Sequence, residues 1–239
     1  MILAMWSGPR NLSTAMMRSF ANRRDVMNVM DEPLYASYLF RSAKNHPMHE
    51  EILDSQPTSY KEAINNCLKG CPGISFQKHM VQHVNFDESN DWMSSLKNFF
   101  LIRKPESVVP SFCLKYPDAD INDLGFYQQY ELYKYISDIT NEEPPVVDAT
   151  DIRNDPEKIL KLLCEKLDIA WDSRMLKWQK GIHDYDGVWA SHWYHSVHSS
   201  NCFIPEENKI TKFDKHINDL IRESSKFYDF MAQKKYLNS

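Results

Sequence analysis

No stretch of this chain is long and apolar enough to span a bilayer: runs such as residues 99–102 fall far short of the ~20 apolar residues a spanning helix requires. No basic segment with an apolar core precedes the first strand, so the sequence predicts a soluble, cytoplasmic protein without a membrane partner. Lysine and arginine form no stripe and the net charge is −5, which argues against a nucleic-acid partner. Cysteine is sparse. Cys67, Cys71, Cys113, Cys164 and Cys202 are odd in number and scattered, as expected of reduced cytosolic thiols, and Cys67 with Cys71 lacks the second pair a zinc site needs. His79 and His83 stand four apart without the glutamate of a zinc-protease helix, and His192, His195 and His198 have no carboxylate at comparable spacing. No metal is expected. The Gly-Lys-Ser/Thr ending of the P-loop NTPases is missing as well, and the chain has no internal repeat and no low-complexity segment.

What is present is a globular composition. With 239 residues, 42% hydrophobic and 13% aromatic, the chain can bury one sizeable core. It reads as a single domain, 1–239, with 171–239 as a C-terminal cap loop and helix. The aromatics are assigned first to that core, though they also suit a pocket for a planar ligand. Short strand signals at 2–6, 26–30, within 74–84, at 98–103 and at 146–148 alternate with helical stretches at 13–20, 34–43, 60–68, 106–116 and 123–139 and with a leucine-rich stripe after Pro156. That alternation predicts an α/β fold with a parallel sheet. Residues 46–59 are polar and irregular, as in a lid over an acceptor, and 177–201 read as a loop folding back over the site.

The chain is organised around residues 1–20, which read as strand, tight loop and helix. Gly8 and Pro9 punctuate the loop, and Ser13 and Thr14 open a helix carrying Met16, Met17 and Phe20 on one face. Such a loop aims backbone N–H groups and the positive end of a helix dipole at one point, and Arg10 adds a forked cation. It suits a phosphate or sulfate group; the plain alternative is an ordinary capped turn. Asp31 and Glu32 end the second strand, where the ligand crevice of a parallel sheet lies. Lys78 and His79 come near the end of the third strand, as charge stabiliser and proton acceptor or as a solvent-facing lysine and a hydrogen-bonded histidine. Arg103 stands at the end of the fourth strand, with Ser111 two turns into the helix that follows.

Together these residues carry a resemblance. Ser7-Gly8-Pro9-Arg10-Asn11-Leu12-Ser13-Thr14 resembles the 5′-phosphosulfate loop of the sulfotransferases that use 3′-phosphoadenosine 5′-phosphosulfate (PAPS), with Leu12 where the common loop has glycine. Arg103 and Ser111, within RKPESVVPS, resemble that family's 3′-phosphate element in spacing and order. Asp31-Glu32-Pro33-Leu34 is similar to the Glu-Pro step of the carbohydrate and bacterial branches, where the glutamate is a proposed base, and 147–152 resemble the later strand and helix of the fold. Lys78 is similar to a lysine that contacts the transferring group in cytosolic members, whose base histidine follows two positions later; Met80 takes that place here. Lys180-Gly181 resembles the end of an Arg-Lys-Gly loop that closes on the 3′-phosphate, with Gln179 replacing the arginine.

The resemblance implies a P-loop-like three-layer fold, a short central parallel sheet flanked by helices. It implies PAPS as sulfuryl donor, PAP as product, and a hydroxyl or amine of a small-molecule or carbohydrate acceptor. Arg10, Glu32, Lys78 and His79 would be catalytic. Ser7, Gly8, Pro9, Arg10, Asn11, Leu12, Ser13, Thr14, Arg103, Ser111, Lys180 and Gly181 would bind the nucleotide. A magnesium-dependent small-molecule kinase and a non-catalytic nucleotide-binding protein on the same fold stand as alternatives; the sequence leaves the acceptor's identity and the oligomeric state open.

Overall fold

Leu3, Ala4, Met5 and Trp6 are fully buried, because the apolar run at the start of the chain is a strand covered on both faces. The structure, a computed structural model, describes residues 1–42, 44, 46–205 and 213–235. That strand, β1 (Ile2–Ser7), is followed by α1 (Ser13–Ala21), β2 (Val26–Asp31), α2 (Tyr35–Ser42), α3 (His49–Ser55), α4 (Tyr60–Cys67), β3 (Ile74–Met80), β4 (Lys97–Ile102), α5 (Pro105–Cys113) and α6 (Phe126–Thr140). Then come β5 (Val146–Asp148), α7 (Ala149–Asn154), α8 (Pro156–Lys166), the single-turn helices α9 (Ala190–Trp193) and α10 (His195–His198), and α11 (Lys215–Gln233). The strands pair in the order β2-β3-β1-β4-β5, all parallel, with helices on both faces. This is the α/β arrangement that the alternation of strands and helices predicts.

Strand alternation sorts the core into two layers. Leu3 and Met5 of β1, Phe76 of β3 and Phe99 and Leu101 of β4 pack with Met16, Met17 and Phe20 of α1 and with Ile159, Leu160 and Leu163 of α8. On the opposite face Ala4, Trp6, Phe100 and Ile102 meet Leu132, Tyr133 and Ile136 of α6 and Met231 of α11. Each such large side chain contributes roughly 1.5–3 kcal/mol by burial. The starts of α7, α8 and α11 carry acidic caps: the side chains of Asp148, Asp155 and Asp214 accept from the backbone N–H of Thr150, Lys158 and Ile217.

The segment after α8 is tied onto α1 by polar contacts. Ser19 Oγ donates to the Met175 carbonyl at 2.7 Å, and Asn22 Nδ2 donates to the carbonyls of Arg174 and Lys177. Arg18 forms a buried ion pair with Asp186 at 2.5 Å, the two side chains being 0% and 2% exposed.

Local structure departs from the sequence reading in three places. Residues 46–59, read as irregular, contain α3, whose Ile52 is fully buried in the α1-side core; tertiary packing stabilises a helix too short to persist alone. The aromatic helix begins at Phe126 rather than at 123, because Gly125 turns the chain in with φ 76°. Short helices α9 and α10 interrupt the stretch read as a loop.

Candidate active site

The loop between β1 and α1 makes a tight turn. Arg10 and Leu12 both occupy the left-handed region, with φ 61° and 70°, a conformation costing a non-glycine residue on the order of 1–3 kcal/mol. Leu12 thus adopts the backbone that a glycine would take more easily. Asn11 pins the turn by donating from Nδ2 to the Leu101 carbonyl at 3.1 Å. Ser7 is fully buried at the end of β1, and a Cβ on Gly8 would come within 3.1 Å of the Leu124 carbonyl oxygen. Residues 9–14 line a cavity of about 870 Å³; Ser7 and Gly8 support the turn from behind.

Arg103, placed just beyond β4, and Ser111 on α5 reach the same cavity. Arg103 Nη1 donates to the Arg10 carbonyl at 2.7 Å, and Arg10 Nε donates to Ser111 Oγ at 2.9 Å. The two elements singled out in the sequence therefore form one cluster. Burial, then the charge of Arg103, lowers the Arg10 pKa, and burial, then the charge of Arg10, lowers that of Lys115. Three cations crowd together, which favours an anion between them. Lys115 also lies 3.4 Å from the centre of the Trp193 ring, so the segment at α9 reaches this cluster.

A second group of ionisable residues lies deeper. Lys78 Nζ is 2.9 Å from Asp31 Oδ1, 2.5 Å from Glu32 Oε1 and 2.7 Å from Tyr194 Oη. Tyr194 Oη lies 2.7 Å from Asp31 Oδ2, and the Gly187 N–H donates to the same oxygen at 3.1 Å. Burial pulls the Lys78 pKa down, but Asp31 and Glu32 more than offset it and hold the ammonium well above its ordinary range. Burial raises the Glu32 pKa against the opposing pull of Lys78, with Asp31 adding to the rise. Two carboxylates thus share one lysine. Asp31 is engaged by the lysine, the tyrosine and a backbone N–H, whereas Glu32 keeps Oε2 toward His83 at 3.9 Å. Glu32, Lys78, His83 and Tyr194 all line the cavity that holds Arg10 and Arg103.

Three expected site residues lie elsewhere. His79 follows Lys78 directly, so it faces the other side of the sheet. Its ring stacks on Trp6 with centroids 4.2 Å apart, Nε2 is 3.0 Å from Gln77 Oε1, and burial lowers its pKa to about 3. Lys180 is exposed, and neither it nor Gly181 borders the cavity. The structure instead adds Tyr194 and His83. Tyr194 sits in a segment without periodicity, where no local signal marks it. His83 is carried back to the cavity by the 3₁₀ turn Val81–His83 after β3; its signal was a histidine a few residues beyond a strand end.

A parallel sheet whose first strand feeds a loop and helix N-terminus, with Arg10, Arg103 and Lys115 clustered beside it, is an arrangement that suits a multiply charged anion. The chain belongs to the sulfotransferase domain family, whose family model matches residues 1–235. Two Arabidopsis thaliana proteins, named branched-chain-amino-acid aminotransferase-like proteins 1 and 2, are 34% identical over 232 residues and 32% identical over 233. Those alignments cover 96% of this chain and 41% of each relative, so the chain spans about two fifths of their length. Among solved structures, a sulfotransferase from Alicyclobacillus acidocaldarius superposes with a TM-score of 0.56 at 9% identity, covering 98% of this chain and 96% of that one. The sulfotransferase domain from the curacin biosynthetic pathway gives 0.50 at 13%, covering 94% and 97%. At such identities the likeness is one of fold.

Proposed function

We propose that the chain transfers a sulfuryl group from PAPS to a hydroxyl or amine of a small-molecule acceptor. The observation that carries this reading is the joining of Arg10, Ser111 and Arg103 into one cationic cluster on the cavity that also holds Glu32. These residues fit the donor's two anionic ends. Arg103 and Ser111 would hold the 3′-phosphate and select PAPS over ATP, while the N–H groups and hydroxyls of residues 9–14 face the 5′-phosphosulfate.

A sulfuryl group carries less charge than a phosphoryl group, so fixed cations and amides suffice to stabilise its transfer. Glu32 takes the proton of the attacking hydroxyl or amine at Oε2. Lys78 keeps the buried carboxylates compatible with the fold and leaves Glu32 ionised enough to act as a base. Arg10, Ser13 and Thr14 stabilise the charge that accumulates on the leaving phosphate. Calorimetric titration with PAP, beside ADP and beside ATP with magnesium, tests the reading. A clear preference for PAP supports it, whereas a preference for ATP or no nucleotide binding sinks it.

A further inference from the structure

Building on the sulfuryl-transfer reading, we propose that His83 is a catalytic residue that works with Glu32: the acceptor's nucleophilic oxygen or nitrogen sits between Glu32 Oε2 and His83 Nδ1. The two atoms are 3.9 Å apart, too far for a hydrogen bond with each other but right for two groups that both bond a third atom. An atom about 2.8 Å from each would bind them at close to a right angle, which suits a hydroxyl or an amine.

His83 is built to present that nitrogen. Its ring is stacked between Tyr35 and Tyr38, with centroids 4.5 and 4.7 Å away and tilts of 14° and 25°, so its plane is fixed. The residue is 5% exposed, yet Nδ1 has no hydrogen-bond partner among the described residues. A buried polar atom left so costs on the order of 1–3 kcal/mol, a cost that an incoming donor or acceptor would remove. Burial and then the charges of His46, Lys78, His79 and Arg41 push the imidazole well below its usual pKa, which keeps it neutral. Glu32 faces it with the complementary need: Oε1 is taken by Lys78, and Oε2 remains for a proton.

A hydroxyl donates its single proton to Glu32 Oε2 and accepts from His83 when Nδ1 carries hydrogen. A neutral amine donates one proton to each when it does not. In either case a lone pair remains for sulfur. The new bond joins the acceptor atom to sulfur, the bond from sulfur to the 5′-phosphate oxygen breaks, its electron pair leaves on PAP, and the acceptor's proton ends on Glu32.

The test compares wild type, His83→Phe and His83→Asn in PAP binding and in PAPS turnover. Benzyl alcohol and benzylamine serve as probes, and water alone as nucleophile is read by sulfate release. Phenylalanine keeps a ring between Tyr35 and Tyr38 but offers no nitrogen; asparagine returns an amide near the Nδ1 position. The expected result is unchanged PAP affinity in His83→Phe with turnover down about 10²-fold, partly recovered in His83→Asn. If His83→Phe does not bind PAP, His83→Gln, whose amide projects past the Nδ1 position, replaces it, and equal rates for Gln and Asn overturn the role of His83. A Phe variant that binds PAP and turns over at the wild-type rate overturns it too, leaving sulfuryl transfer intact. Wild type that binds PAP but releases neither sulfate nor a sulfated probe overturns both.

Discussion

Arg103 reaches across 93 residues of sequence to donate to the backbone carbonyl of Arg10 at 2.7 Å. One guanidinium thereby braces the strained loop that presents the other. The loop and the second cationic element are a single mechanical unit, and a ligand that neutralises one relieves the other.

Arg103→Ala removes both the brace and a charge. Charge-assisted hydrogen bonds contribute roughly 1.5–3 kcal/mol, so PAP affinity should fall about 10- to 100-fold. Calorimetry reads this directly, and an unchanged affinity would remove Arg103 from the nucleotide site. The same variant should lose about half or more of the stabilisation by PAP, which reaches about 2.7 kcal/mol at a hundred times the wild-type Kd.

Glu32→Gln keeps the shape and most of the polarity of the side chain but cannot take a proton. Turnover should drop by about 10²–10⁴ while PAP binding stays at the wild-type level. Retention of full rate in steady-state assays would show that another group is the base.

Lys78→Met leaves Asp31 and Glu32 buried without their cation. Breaking a buried pair from one side costs about 3–5 kcal/mol, which denaturant unfolding should show. The sign of its pH dependence follows from Glu32, whose folded pKa, already raised by burial, rises further once Lys78 is gone. A raised carboxyl favours the folded state at low pH and loses that contribution as pH climbs. The variant's deficit should therefore be smaller at pH 5 than at pH 8; a deficit that grows on acidification would contradict the charge account.

Acid stability is a separate prediction. His79 titrates near 3 when folded and near 6.5 when unfolded, and His83 is depressed in the same direction. Between those limits the unfolded chain binds more protons, so stability falls as pH falls, by about 1.4 kcal/mol per pH unit for each histidine. The raised Glu32 pKa opposes this. His79→Gln should flatten the slope between pH 6 and pH 4 by about one histidine's worth, measured as unfolding free energy against pH.

How far the site could be read in advance depended on whether its signal was local. The turn from β1 to α1 was legible because Gly8, Pro9 and the Ser13-Thr14 start are consecutive, and Arg103 and Ser111 because one strand end and one helix fix their spacing. The strand order had to come from the structure, since β3 inserts between β2 and β1 through pairing that no short window contains. His79 was misplaced by adjacency to Lys78, though the period of a strand puts neighbours on opposite faces. Tyr194 was out of reach altogether: it meets Asp31 across 163 residues.

That last separation bears on how the protein comes into being. A ribosome that has delivered residues up to Ser111 has already supplied Arg10, Arg103, Asp31, Glu32 and Lys78. The hydroxyl and the backbone N–H that finish the surroundings of Asp31 arrive only with Tyr194 and Gly187. Until they dock, Asp31 must rely on water for those bonds. Those charged residues are thus all synthesised early, and Asp31 gains its last two hydrogen-bond partners only as the last third of the chain closes on it.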